Sequence, residues 1–248
     1  MKFYVVGGDA LGPNDMTTGA VWKFDATMAM GAALMLPGGQ GGYAGVSVDV
    51  SRTGVVLVST LDRWWPGDEV FRTTDGGETW RALLDGATYT RETGPWTIDS
   101  RPHWIGDVKV DPHNPERARF VTGYGIWATE NLTKADDGGT VAWDFLNTGL
   151  EETVPLKVVS LPNEGGVVAA YGDMGVVRHP NPQVAPGPAD RAQPHTGTAP
   201  SVAVEELAPG VMARTTRVRA AVTRPMAARI GRTLEGRRSR RRRTDPVG

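Results

Sequence analysis

The 248-residue chain contains no cysteine, which excludes disulfides, thiolate metal sites and cysteine nucleophiles. Histidine is scarce. The four residues at 103, 113, 179 and 195 do not stand at a spacing such as His-x-Glu-x-His that would aim two rings at one metal ion, so capping or solvated roles are expected and neither metal nor organic cofactor is. No apolar run approaches the roughly 20 residues needed to span a bilayer. The N-terminal Met1-Lys2-Phe3-Tyr4-Val5-Val6 reads as a short strand ending in Gly7-Gly8, without the long apolar region of a signal peptide, so no membrane partner is expected and no signal peptide is encoded here. Aromatic residues are missing from one part only: all eight Trp, five Tyr and five Phe lie within residues 1–180. Residues 181–248 hold 13 of the 27 basic residues, all of them Arg, and only five of the 28 acidic ones, so the net charge of −1 conceals an acidic body and a basic tail. Lacking the aromatic mass to build a core and rich in Ala, Pro and Arg, 181–248 is expected to be disordered, with 1–180 as the folded part.

What the body does contain is short runs of β-branched and apolar residues, punctuated by Gly, Pro, Asn and Asp. No long segment repeats with the 3.6-residue period of a helix, so the fold class is all-β. Thr73-Thr74-Asp75-Gly76-Gly77-Glu78-Thr79-Trp80 fits the Asp-box pattern Ser/Thr-x-Asp-x-Gly-x-Thr-Trp. In such a turn the carboxylate accepts amides of its own loop, a Gly supplies the positive φ, and the Trp packs the turn onto its neighbour. Asp75 therefore reads as structural and not catalytic. Gly38-Gly39-Gln40-Gly41-Gly42 lacks the Lys-Ser/Thr of a phosphate loop and reads as a hairpin.

A phrase recurs along the body. Tyr43–Asp49 followed by Val55–Thr60 is matched by His103–Asp111 followed by Ala118–Thr122, and aligning Asp49 with Asp111 gives a period of 62 residues. A third, weaker copy runs from Leu156 to Tyr171. Such a period argues for β-propeller blades, radially arranged four-stranded sheets. Because a closed ring has about four to eight blades, roughly three indicate a partial propeller and a piece of a larger protein.

Several motifs together carry a family resemblance: Arg63-Trp64-Trp65-Pro66-Gly67-Asp68-Glu69 before the Asp box, Trp104-Ile105-Gly106-Asp107, Asp111-Pro112-His113-Asn114-Pro115, Gly123-Tyr124-Gly125-Ile126-Trp127-Ala128-Thr129, Gly149-Leu150-Glu151-Glu152-Thr153 and Gly172-Asp173-Met174-Gly175. In this order they resemble glycoside hydrolase family 74, the xyloglucanases and related β-1,4-glucanases, over residues 1–180. The resemblance implies two seven-bladed propellers facing each other across a cleft, secretion, xyloglucan or a related β-glucan as partner, and hydrolysis with inversion. It places the general acid at Asp173 and the partner Asp in an Asp-x-Gly-Gly segment upstream of this sequence. The family's Gly-Gly-Phe after the acid is replaced here by Gly175-Val176-Val177.

Read without the family, Asp173 is a Gly-flanked turn residue of the kind that bonds its own backbone. Trp64, Trp65, Trp104, Tyr124 and Trp127 fall at loops and strand ends and are candidates for stacking on the apolar faces of sugar rings. One of Trp64 and Trp65 would be buried if the pair lay in a strand, and Trp127 could equally be core. Trp80 and Trp143 read as blade core, Asp107 and Asp111 as caps, and Glu151 and Glu152 either as sugar contacts or as a solvated pair. A sialidase, which also carries Asp boxes, would need an arginine triad that cannot be placed in the body; a non-catalytic propeller binding glycan or protein is the alternative to a hydrolase. The Arg237–Arg243 run could contact phosphates, but Thr223–Gly231 read one base earlier can encode an Asp-box start. An out-of-frame segment after residue 214 is therefore the favoured origin of the tail, and no nucleic-acid partner is expected.

Overall fold

The computed structural model describes residues 1–10, 12, 14–27, 31–34, 36–37, 39–94, 101–150, 153–161, 165–194, 197–205 and 212–215. Among these residues there are seventeen strands, two short 3-10 helices and no α-helix, and the chain divides into two compact units, Met1–Val154 and Pro155–Gly248.

The first unit holds three sheets. β1 (Lys2–Gly8), β2 (Gly19–Asp25) and β3 (Ala32–Leu34) form an antiparallel meander; β4 (Gly42–Val48), β5 (Val56–Leu61), β6 (Val70–Thr73) and β7 (Arg81–Ala82) form a second one in sequential order. The third contains β8 (Thr88–Thr90), β9 (Asp107–Asp111), β10 (Asn114–Thr122), β11 (Gly125–Thr129) and β12 (Ala142–Phe145) in the order β8-β12-β11-β10-β9, with β8 parallel to β12. The first of these sheets was not among the expected repeats, because it lacks the Asp-terminated phrase that marks the other two.

The sheets pack face to face, with their apolar cores between them. Val21 of β2 meets Val56, Val58 and Phe71 of the second sheet, flanked by Tyr4, Leu34 and Trp80. On the other side Leu57 and Val70 meet Ile105, Val108, Phe120, Trp127, Trp143 and Phe145. All six residues of β5 are buried, as a central strand covered on both faces requires. β4 runs beside both β1 and β9, so the leading strands of successive sheets are neighbours, as around a propeller axis. The approach is close enough to demand glycine at 45: a Cβ there would lie 2.6 Å from Val108 N. Ser47 Oγ then accepts Val110 N at 3.0 Å, tying β4 to β9.

The expected Asp box is formed. Asp75 Oδ1 accepts Glu78 N at 2.9 Å and Thr79 N at 3.0 Å, Thr73 Oγ1 donates to Asp75 Oδ1 at 2.7 Å, and Gly77 adopts φ +99°. Hydroxyl and amide bonds from Thr79 and the Thr73 hydroxyl hold the Asp75 carboxyl well below the usual carboxylate range. Lys23 Nζ donates to Gly76 O at 2.7 Å, so the turn also docks the first sheet. Asp49 and Asp111, 62 residues apart, cap their strands identically: each Oδ1 accepts the amide two residues on, from Ser51 at 2.9 Å and His113 at 2.8 Å. A second staple was missed in the sequence. Asn131 Oδ1 accepts Thr129 Oγ1 and Ala142 N, both at 2.9 Å, reproducing the Asp75 role with the 3-10 helix Leu132–Asp137 inserted before the Trp.

That insertion locks the second and third sheets together. Buried Arg72 of β6 donates to both carboxylate oxygens of Asp136, at 2.6 and 2.9 Å, and Arg52 bridges Asp136 to Asp49.

The second unit contains β13 (Pro155–Ser160), β14 (Val167–Tyr171) and β15 (Gly175–His179) as one antiparallel sheet, and β16 (Ser201–Val204) paired with β17 (Met212–Thr215). β16 lies beside β13, and Ala199 and Val202 join Leu161, Val168, Ala170 and Val176 in one core. This corrects the expectation that the body ends at 180 and that residues after it are irregular: small apolar residues supply the packing that aromatics do not, and β-structure continues to Thr215. The Arg237–Arg243 run lies outside the described residues.

Candidate functional site

Three loops of the first unit converge on one aromatic cluster. The loop between β5 and β6 contributes Trp64, the segment entering β9 contributes His103 and Trp104, and the β10–β11 turn contributes Tyr124. Trp64 and Trp104 meet edge to face with centroids 5.7 Å apart, Trp104 and Tyr124 are near parallel at 6.4 Å, and His103 lies 5.2 to 5.5 Å from all three rings. Trp64 is 55% exposed and Trp65 77% exposed. Neither is buried, because the two residues sit in a loop, where strand alternation does not apply.

Trp127 is corrected more firmly. It is only 4% exposed, near parallel to Phe120 and within 5.0 Å of Phe145, with the Arg91 guanidinium over its ring. As a β11 residue facing the core between sheets, it cannot reach a ligand. Trp143 is fully buried and donates Nε1 to Leu83 O at 3.2 Å, consistent with its reading as core.

Buried acids underlie the cluster. Asp62 Oδ1 accepts Trp64 Nε1 at 2.7 Å, and Asp68 Oδ2 accepts Trp104 N at 2.7 Å. Burial pushes the Asp68 carboxyl up, against the pull of its bonds from Thr60, Arg63 and Trp104. Burial raises Glu69 too, opposed by the Arg101 charge and by the amides of Leu84, Val70 and Leu83. Asn147, fully buried, donates Nδ2 to Tyr124 O at 3.3 Å. His103, Asp62, Asp68 and Asn147 were not anticipated as parts of the site; the signal available was the placement of two acids around Trp64-Trp65 in Asp62–Glu69.

Asp173 occupies the turn between β14 and β15 in the second unit. It is exposed and adopts φ +62°; Met174 N closes the turn on Gly172 O at 2.7 Å. Thr198 Oγ1 accepts Asp173 N at 3.0 Å and donates to Asp173 Oδ1 at 3.2 Å. Tyr171 Oη and His179 Nε2 are 2.9 Å apart on the same strand pair, and burial lowers the His179 pKa. The family's Gly-Phe is replaced by Val176 and Val177, which are buried and continue the ladder to β14. Asp107 is a half-buried strand-end residue that accepts from Lys109 Nζ at 2.5 Å. Asp136-Asp137-Gly138-Gly139 matches Asp-x-Gly-Gly by letter, but Asp136 is committed to Arg72 and Arg52. Glu151 and Glu152 lie outside the described residues. Among the described residues no group of three or more His, Asp or Glu is placed to hold a metal ion, and no helix is long and apolar enough to cross a membrane.

No protein-family model matches the chain. Individual proteins do. It is 31% identical over 236 residues to the xyloglucanase Xgh74A of Acetivibrio thermocellus, covering 85% of this chain and 28% of that enzyme. A xyloglucanase of a Paenibacillus species is 31% identical over 260 residues, covering 95% of this chain and 25% of the relative. The crystal structure of the GH74 xyloglucanase from Xanthomonas campestris superposes with a TM-score of 0.77 at 35% identity, covering 89% of this chain and 32% of that one. The chain thus spans a quarter to a third of the length of these relatives, and over that span its sequence and its β-propeller fold are similar to those of glycoside hydrolase family 74.

Proposed function

We propose that the chain is a segment of an inverting glycoside hydrolase that cleaves the β-1,4-glucan backbone of xyloglucan in a secreted setting, with Asp173 as general acid and Trp64, Trp65, Trp104 and Tyr124 as a sugar platform. The observation that carries this reading is the convergence of exposed and half-exposed rings on loops at one place, in a chain whose relatives are xyloglucanases. Pyranose rings present apolar C–H faces, and a rigid indole offers them a large contact area at little entropic cost. Asp173 supports the acid role by its exposure at a tight turn and by Thr198, which fixes its orientation.

Inversion needs two carboxyl groups about 6.5 to 9.5 Å apart, one protonating the glycosidic oxygen while the other draws a proton from the attacking water. The resemblance assigns the second carboxylate to a segment upstream of this sequence. The 248-residue chain alone is therefore expected to release no reducing sugar from xyloglucan. A longer protein carrying both segments should hydrolyse it and lose about 10²-fold or more of its activity on Asp173→Asn, which keeps the shape and removes the acid. Turnover by the chain alone refutes the two-carboxylate assignment, and an unaffected variant removes Asp173. Xyloglucan binding without turnover in the longer protein would instead indicate a non-catalytic glycan-binding propeller.

A further inference from the structure

Asp62 and Asp68 flank the exposed Trp64-Trp65 pair yet are themselves only 6% and 2% exposed, so neither is placed to contact a polymer lying over the rings. Their bonds run inward to the frame and outward to the cluster. Asp62 Oδ2 accepts Met16 N at 3.0 Å while Oδ1 accepts the Trp64 indole, so the ring edge is tied to the loop that precedes β2. Asp68 Oδ1 accepts Thr60 Oγ1 at 2.8 Å and Arg63 N at 3.1 Å while Oδ2 accepts Trp104 N, which links β5, the Trp64 loop and the segment entering β9 through one carboxylate. Glu69 secures the same segment three residues earlier by accepting Arg101 Nη2.

The backbone shows what these bonds resist. Asp62 and Trp104 have φ of +60° and +56°, a region that bulky side chains avoid and occupy only where surrounding contacts over-determine it. Both are bonded as described, and both set the geometry of the Trp64–Trp104 contact.

We propose that Asp62 and Asp68 are positioning residues that hold Trp64 and Trp104 edge to face before ligand arrives. This rests on the reading of the cluster as a xyloglucan platform. Preorganisation spares the bound state the cost of ordering two large side chains, so its loss appears as weaker affinity.

The test uses the 248-residue chain with three readouts: melting temperature, the far-ultraviolet exciton signal of closely spaced indoles, and calorimetric affinity for a xyloglucan oligosaccharide. Trp64→Phe removes one partner and defines the signal without the pair. Asp68→Asn keeps the volume but cannot accept from all three donors, and is expected to lose most of the exciton signal and about tenfold in affinity while still melting cooperatively, the size of one lost charge-assisted hydrogen bond. Asp62→Asn retains an acceptor for the indole and should stay within about threefold, whereas Asp62→Leu should lose about tenfold. A wild-type signal and affinity in Asp68→Asn and Asp62→Leu overturns the proposal, as does loss of the signal with affinity unchanged. Should the wild-type chain show the exciton signal and the variants lose it while no oligosaccharide binds, it is the carbohydrate reading that fails and not the positioning geometry.

Discussion

The Arg72–Asp136 pair gives the most quantitative test of how the sheets are joined. Arg72 has a side chain only 1% exposed and is held bidentately by a carboxylate that is itself 25% exposed. Replacing Asp136 with Ala leaves a buried guanidinium without its counter-charge, a situation that costs about 3 to 5 kcal/mol when the pair is fully dry. Partial solvent access at Asp136 places the expectation at the lower end, about 3 kcal/mol, which for a chain of this size lowers the melting temperature by about 6 to 12 °C. Arg72→Met removes the charge and keeps a flexible apolar stem, so Asp136→Ala in that background should cost no more than about 1 kcal/mol. Differential scanning calorimetry on the two single variants and the double variant gives the coupling directly. Burial raises the Asp136 pKa, but the Arg72 hydrogen bond and the Arg72 and Arg52 charges outweigh it, leaving the carboxyl below its ordinary value. A depressed folded-state pKa stabilises above the unfolded value, so the difference between wild type and Asp136→Ala should shrink as pH falls below about 4. Additive single-variant effects, or a cost below about 1 kcal/mol for Asp136→Ala, would refute the staple.

Asp75→Ala should cost about 1 to 2 kcal/mol, in the range of a lost helix cap because the exposed amides of Glu78 and Thr79 regain water, and its effect should also fade below about pH 4, as calorimetry at pH 7 and pH 3 would reveal. Asn131→Ala, which opens the second staple, should show a loss of similar size in urea unfolding but no comparable fading in acid, since an amide does not titrate. Trp127→Ala should cost about 3 to 5 kcal/mol in the same assay while leaving oligosaccharide affinity of the folded fraction unchanged, because the ring is core.

Much of this architecture is legible in the sequence because its staples are local. Asp75, Asp49 and Asp111 bond to amides within four residues, so turn chemistry alone identifies them. Asn131 escaped because a 3-10 helix separates it from the Trp that completes the box, and the hairpin beyond 180 escaped because Ala199 and Val202 carry no aromatic signal. At the site, the rings were recognisable by residue type, but their grouping depends on three loops 40 and 20 residues apart along the chain. Trp64 and Trp127 look alike in sequence and differ only in which side of a sheet or loop they face. The acids beneath the rings act over long separations, Asp62 on Met16 and Asp68 on Trp104, which no local pattern encodes.

The claim that the exposed rings form a sugar platform is tested most directly by titrating the chain with a xyloglucan oligosaccharide while following tryptophan fluorescence, in wild type and in Trp64→Ala and Trp65→Ala. The account predicts a saturable change in wild type and a loss of about 1 to 3 kcal/mol of binding energy in at least one variant, the span found for rings stacked on planar ligands, with melting temperatures close to wild type. Variants that melt far lower yet bind normally, or a wild-type chain that never responds, would contradict it.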